Sequence, residues 1–453
     1  MDRVRPVRTA LLVATLAAVG AGLGRARAED APPAPPAAPA RPKAGGTAEF
    51  LARVDRAIDL GVAWLKRNQA LNGGWGTVAP ERPYDPNFKG TLKDYPTGSA
   101  SLGAYTLLKC GVPPDDAVVK RSLAFLKDVR LFPSSYELSM AILALTATAD
   151  PAKKSADTAA AGEKVKLKGD VRRQVQDLVD KLLKRRAPSV WRYNWSDVMP
   201  SKGGEQDLSS TQLAALALLA AERAGISVES KVWNEIAAFA FAQQDPKGPA
   251  HKRALYPRVH AEAKPPAGPS PYAPPAGKPA EAQDHARGFA YILSEELDRD
   301  EGRPTGGMTA CGIGIIAAAR YVLETRGDHV WKRRDPFAVD GAIRDAAAWL
   351  DLRWSPFENP GKRDLNIYHV YYLYCVERAM DLVGASRIGS HDWFVEMGTK
   401  LLAAQQPDGS WDSRSTHKPY AFLDTCFALL FLHRATRGGI PLPAATADDP
   451  DGG

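Results

Sequence analysis

Cysteine is scarce in this chain, and Cys110, Cys311, Cys375 and Cys426 lie too far apart to build a short-loop disulfide framework. All four fall in or at the end of apolar helical segments, the usual place of buried free thiols. Long uncharged apolar runs are missing too: none reaches the roughly 20 residues that span a bilayer, so no transmembrane segment is expected in the mature chain. No phosphate-binding glycine loop, nucleophile motif or strong metal-ligand spacing occurs, which removes the most direct sequence routes to nucleotide or triad chemistry. Alternating strand patterns are almost absent, which excludes a sheet-based core.

The formal charge of +7 implies less than it suggests. Arg3, Arg5 and Arg8, an apolar run from Leu11 to Leu23, and Ala26-Arg27-Ala28 form the three parts of a secretory signal. Removing residues 1–28 takes away five arginines and one aspartate, a net +4, and leaves +3. The remaining basic cluster, Lys164 to Arg186, is interleaved with Asp170, Asp177 and Asp180 as on a solvated helix face. No nucleic-acid partner is expected. The chain reads as exported, periplasmic or secreted, and export would permit a bridge such as Cys375 to Cys426. Residues 29–49 form a Pro/Ala-rich linker, Pro265 to Pro279 a surface excursion, and 437–453 a disordered tail.

Between residues 50 and 436 twelve helical segments alternate between two kinds. Six are amphipathic, as in Val54, Ile58 and Leu65 or Val171, Val175, Leu178 and Leu182. Six are apolar all round: Thr97 to Cys110, Ser135 to Ala147, Leu208 to Ala224, Met308 to Leu323, Ile367 to Val383 and Tyr420 to Ala435. A helix with no wet face must be buried on every side, so the expected fold is all-α: a single α6/α6 toroid of six helical hairpins, wet-faced helices outside.

Two near copies of one turn support a repeat: Gln69-Ala-Leu-Asn-Gly-Gly-Trp75 and Gln405-Gln-Pro-Asp-Gly-Ser-Trp411. Gly73 and Gly409 suit the left-handed end of an outer helix, Gln69 and Gln405 can satisfy its last carbonyls, and Trp75 and Trp411 pack over the turn. Trp191 and Trp354 stand at the same stage of the third and fifth repeats. Several outer-to-inner connections are long (71–96, 187–207, 245–305), so they gather at one mouth, the expected working end.

Gln-x-x-Asp-Gly-Ser-Trp repeats in a series of helical hairpins resemble those of squalene and oxidosqualene cyclases and of protein prenyltransferase β subunits. More closely, the chain resembles exported bacterial prenyltransferase/squalene-oxidase-repeat proteins without an assigned reaction. That likeness rests on Trp191-Arg-Tyr193, Asp207-Leu-Ser-Ser-Thr-Gln212, Gly306-Gly-Met-Thr-Ala310, Tyr371-Tyr-Leu-Tyr-Cys-Val-Glu377, His391-Asp-Trp393 and Thr425-Cys-Phe-Ala-Leu-Leu-Phe-Leu432. It implies a terpenoid-cyclase-like toroid holding an apolar or isoprenoid-like molecule. The cyclases' Asp-x-Asp-Asp acid and the aspartate-rich diphosphate motif are absent. Gly361-Lys-Arg-Asp-Leu-Asn-Ile-Tyr-His-Val-Tyr-Tyr372 is similar to the segment that supplies the prenyltransferase zinc histidine. The resemblance therefore offers a zinc set of His369 and Cys311, with Thr309 where the family has a carboxylate and Asp424 as substitute.

Polar residues that open the apolar helices are the remaining candidates. Glu137, Asp207, His369 and Asp424 are candidates for acid, base or catalytic roles, with Tyr136, Thr309, Tyr368 and Tyr372 lining a ligand cavity. Each has a structural alternative: Asp207 as an N-cap, Glu137 at a helix start, His369 as a packed histidine, Cys311 as a small hydrophobe. Three functions stay open at this point: a toroid holding a small apolar molecule, a carbohydrate-active lyase or hydrolase acting on glycan through paired carboxylates, and a protein-binding scaffold.

Overall fold

The computed structural model describes residues 46–71, 73–75, 96–128, 134–149, 165–186, 188–192, 206–255, 283–294, 302–362, 368–413 and 421–434. The signal, the proline-rich excursion, the tail and most of the long mouth loops lie outside the described residues. Everything described belongs to one compact unit, Pro42–Gly453.

Twelve α-helices are present among the described residues: α1 (Ala48–Arg67), α2 (Pro96–Lys109), α3 (Ala117–Asp128), α4 (Ser135–Ala147), α5 (Gly169–Lys184), α6 (Leu208–Arg223), α7 (Ser230–Ala242), α8 (Gly306–Thr325), α9 (Pro336–Leu352), α10 (His369–Val383), α11 (Trp393–Ala404) and α12 (Ala421–Leu432). Their starts are set by local chemistry. Thr47, Ser134, Asp207, Thr305, Asp335 and Asp392 each accept a hydrogen bond from a first-turn N–H, and α9 adds proline at its first position.

The even-numbered helices are the apolar ones, and their contacts run in a cycle: α2 on α4, α4 on α6, α6 on α8, α8 on α10, α10 on α12, and α12 back on α2. The odd-numbered helices pack outside them, burying one stripe each; α5 buries only Val175, Leu178, Val179 and Leu182. Residues at the starts of the inner helices touch one another: Thr97 with Glu137, Tyr136 with Ser209, Ser209 with Tyr371, and Cys311 with Tyr371. The N-terminal ends of α2, α4, α6, α8 and α10 therefore gather on one side.

Two features depart from the sequence reading. A small antiparallel ladder, β1 (Ala250–Lys252) with β2 (Gln283–His285), lies between α7 and α8. It is clamped to α9, where Asp345 accepts from the His285 N–H and from Arg287, both at 2.7 Å. Strands of three residues carry no legible alternation. Secondly, α8 is long and apolar enough to cross a membrane by length and composition, although nearly all of it is buried among the other helices. It is the central helix of this core.

The turn repeat works differently from its expected capping role. The indole N–H of Trp75 donates to Leu65 O at 2.9 Å, and that of Trp411 to Leu401 O at 2.8 Å, so tryptophan caps the outer helix. Glutamine reaches sideways instead. Gln69 donates to Val118 O and Ser122 Oγ, each at 2.9 Å, on α3, and Gln405 to Ala57 O on α1 at 2.9 Å. Gly73 and Gly409 have φ of +94° and +90°, and a Cβ there would press within 3.0 Å of Arg121 O and Leu60 O respectively. Each turn thus staples its outer helix to the next, and the Gln405 turn joins the last outer helix to the first.

A third copy follows α7, unrecognised in the sequence. Gln244 donates to Ala342 O on α9 at 2.9 Å, and a Cβ at Gly248 would meet Ala286 O within 3.0 Å. Phe289 takes the tryptophan's place: its ring occupies the space above Gly312 as that of Trp75 does above Gly103. Trp191 keeps the indole cap, on Leu182 O at 2.8 Å, whereas Trp354 donates to Glu396 at 2.7 Å.

Candidate functional site

The carboxylates that begin the inner helices are each held by separate partners. Asp207 caps α6, accepting from Ser210 N and Ser210 Oγ at 2.7 Å. Glu137 Oε1 accepts from Thr97 Oγ1 and, at 3.1 Å, from Gly98 N at the start of α2, while Oε2 is buried without a partner. Burial raises the Glu137 pKa against those hydrogen bonds. Asp424 accepts from Ser413 N at 2.7 Å, and burial pushes its pKa up to about 6. Each of the three is thus held by donors of its own, on Ser210, on Thr97 and Gly98, and on Ser413.

The zinc candidates are also occupied separately. His369 Nε2 donates to Pro356 O at 3.0 Å, and burial lowers the imidazole pKa to about 4. Cys311 Sγ lies 3.6 Å from Cys375 Sγ and 3.9 Å from Tyr371 Oη. Among the described residues no group of three or more His, Cys, Asp or Glu is arranged to hold a metal ion. His369, Cys311 and Asp424 each have a neighbour of their own, Pro356 O, Cys375 Sγ and Ser413 N respectively. All four cysteines are free, as their apolar helical settings led one to expect, and Cys375 neighbours Cys311.

Of the residues expected to line a cavity, Thr309 is fully buried, its Oγ1 accepting from Phe289 N at 3.1 Å, just as Thr425 Oγ1 accepts from Trp411 N at 3.0 Å. Both threonines hold the turn repeat. Tyr372 is sealed against Gly306, and Tyr368 lies at the surface, 58% exposed, with φ of 58° before α10.

Tyr136 is placed otherwise. On α4 and α10, buried along their described length, Tyr136 and Tyr371 alone keep accessible surface, and on α12 Phe427 does so with Ala421 and Leu423. These aromatic side chains meet: Tyr136 Oη and Ser209 Oγ are 2.6 Å apart, Ser209 Oγ and Tyr371 Oη 3.4 Å, and the Tyr371 and Phe427 rings 5.3 Å between centroids. The result is an aromatic floor with three hydroxyls along one edge, at the end where the inner helices begin.

Beneath it lies Arg378, about two turns further along α10 than Tyr371 and 1% exposed. Its guanidinium sits over the rings of Tyr374, at 4.2 Å, and Tyr371, at 5.5 Å, and donates to Cys375 Sγ at 3.0 Å. No carboxylate pairs with it among the described residues. Tyr371, Cys375 and Arg378 were visible as residues, but the partners that give them a role come from α4, α6 and α8.

No family model and no curated protein matches the chain. Solved structures of a type II terpene cyclase from Scytonema, MstE, are similar in fold. The complex with merosterolic acid A as product is 12% identical over 86% of this chain and 98% of that one, with a TM-score of 0.44. The complex with geranylgeranyl dihydroxybenzoate as substrate is also 12% identical, over 86% and 99%, with a TM-score of 0.43.

Proposed function

We propose that the cyclic packing of the inner helices is an α6/α6 toroid of six hairpins that binds an apolar, isoprenoid-like molecule bearing a polar head. The observation that carries this reading is the accessible surface kept by Tyr136 and Tyr371 on helices otherwise sealed, with Phe427 of α12 against Tyr371. An aromatic floor desolvates an apolar chain, and hydroxyls grouped at one edge fix an oxygen head.

The electrostatics favour an oxygen-rich head over a cation. Tyr136, Ser209 and Tyr371 lie in the first turns of α4, α6 and α10, whose N-termini carry partial positive charge, and Arg378 adds a full one below. Such a site holds an alcohol, carbonyl or carboxylate well. It opposes a carbocation, so the reading is of a binding protein more than of a cationic cyclase.

The test is titration calorimetry of the full chain with geranylgeraniol. Binding is expected, weakened about tenfold by Phe427→Ala and by Tyr371→Ala, as removal of a buried aromatic contact implies. Absence of binding, or binding that both variants leave unchanged, refutes the proposal.

A further inference from the structure

The reading above does not use the sulfur pair under the floor. Cys311 on α8 and Cys375 on α10 are both fully buried, on helices packed against each other, with their sulfurs 3.6 Å apart. Arg378 is buried, and among the described residues Cys375 Sγ, at 3.0 Å, is its one hydrogen-bond acceptor and its Nε has no partner. A guanidinium without a carboxylate in a dry core is costly by several kcal/mol unless an anion faces it. The acceptor available is the Cys375 sulfur, toward which the Cys311 S–H also points.

We propose that Cys375 is a redox-active thiolate, paired with Arg378, that is oxidised by a small hydroperoxide and then forms a disulfide with Cys311. The groups facing Cys375 are Cys311 from α8 and Tyr371, Tyr372, Tyr374 and Arg378 from α10, with Tyr136 beyond Tyr371 and Tyr105 and Glu377 beyond Tyr374. Arg378 and the Cys311 hydrogen bond bring the Cys375 pKa down to about 7 despite burial, the largest influence, which acts upward; Cys311 is held well above its usual range. The two thiols thus differ as an attacking and a resolving cysteine must.

The chemistry balances. The Cys375 thiolate attacks one peroxide oxygen, the O–O bond breaks, and the departing hydroxide takes a proton to leave as water, giving a sulfenic acid. The Cys311 sulfur then attacks the sulfenic sulfur: the S–S bond forms, the S–O bond breaks, and hydroxide leaves with the Cys311 proton as a second water. Closing 3.6 Å to a bond of about 2.05 Å requires side-chain rotation along two adjacent helices. Sealing of both sulfurs excludes exchange with a bulky disulfide, so the oxidant must be as small as hydrogen peroxide.

The experiment treats the reduced full chain with one equivalent of hydrogen peroxide at pH 7, blocks remaining thiols, and maps them by mass spectrometry. A linked Cys311–Cys375 peptide is expected, with Cys110 and Cys426 still reduced and reacting at least about 50-fold more slowly, as their smaller thiolate fractions require. In Cys311→Ser, checked for native circular dichroism, the sulfenic acid should persist on Cys375 and be trapped by dimedone. In Arg378→Lys, which keeps a charge, the pH midpoint of oxidation should move upward. Comparable oxidation of all four cysteines, a dimedone adduct on another cysteine, or no Cys311–Cys375 link in the wild-type chain overturns the proposal. The wild-type mapping requires no variant to fold, and none of the readouts depends on what the aromatic floor binds.

Discussion

His369 should make this protein lose stability in mild acid, and His369→Gln should remove that loss. The imidazole is 8% exposed, opens α10 where the helix end is positive, and donates through Nε2 to Pro356 O at 3.0 Å. Burial outweighs the Pro356 carbonyl, which favours the charged form, and the folded-state pKa falls from 6.5 to about 4. The unfolded chain therefore takes up a proton first as pH drops. The stability contributed by neutral His369 is complete above about pH 6.5 and is lost progressively toward pH 4. At about 1.36 kcal/mol for each pH unit across that window, the loss amounts to about 3 kcal/mol.

The assay is urea unfolding of wild-type and His369→Gln chains at half-unit steps from pH 4 to pH 8. Glutamine keeps an N–H for Pro356 O but does not titrate. The difference between the two stabilities, not either curve alone, isolates the residue, because Asp424 titrates in the same range with opposite sign. The variant should be somewhat less stable than wild type at pH 7.5 and gain on it by about 3 kcal/mol by pH 4. Parallel curves would show that His369 titrates normally and would refute the burial argument.

Three further outcomes follow from the same geometry. Asp424→Asn should keep the Ser413 contact and stabilise the protein above pH 6 by about 3 kcal/mol, the advantage vanishing near pH 4: a carboxyl raised from 3.8 to about 6 contributes stability that is present at low pH and lost as pH rises through that interval. Thermal unfolding at pH 4 and pH 8 checks it. Gly409→Ala should cost more than about 3 kcal/mol, whereas Gly225→Ala, with φ of +77° and nothing within 4 Å, should cost about 1, so the pair separates crowding from backbone conformation in denaturant titrations. Gln69→Leu should cost about 1–3 kcal/mol by removing its donations to Val118 O, Ser122 Oγ and Gly73 O and leaving Arg121 Nε without its glutamine acceptor, read as a lowered urea midpoint with an unchanged slope.

The helical layout was legible because burial on all sides leaves a direct mark. The runs predicted from Ser135 to Ala147 and from Leu208 to Ala224 match α4 and α6 to within a residue. Polarity on α10 shows where that signal stops: Glu377, Arg378 and Asp381 are buried although their types predict solvent. The Gln244 turn escaped notice because its aromatic partner, Phe289, arrives only after the β ladder, so no contiguous motif exists. The candidate carboxylates were found by type and position, but types do not state partners. Glu137 reaches to α2, not its own helix, and Cys311 meets Cys375, a pairing that only the packing of α8 on α10 creates.

Whether the aromatic floor suits a cation can be decided by magnitude. The accessible face of Tyr371 lies over a ring whose centroid is 5.5 Å from the Arg378 guanidinium. With Cys375 in its protonated thiol form, which leaves the guanidinium uncompensated, a second cation stacked there would sit about 9 Å from the first, a repulsion of about 2 kcal/mol at an effective dielectric of about 20. The attraction of a cation to an aromatic face is about 0.5–2 kcal/mol, so the floor offers a cation no net stabilisation. An oxygen head gains from the same field and meets hydroxyl donors. A quaternary ammonium amphiphile should therefore bind this chain at least about tenfold more weakly than an alcohol of equal chain length, and equal affinities would mean that Arg378 is neutralised by its thiolate more completely than its geometry with Cys375 implies.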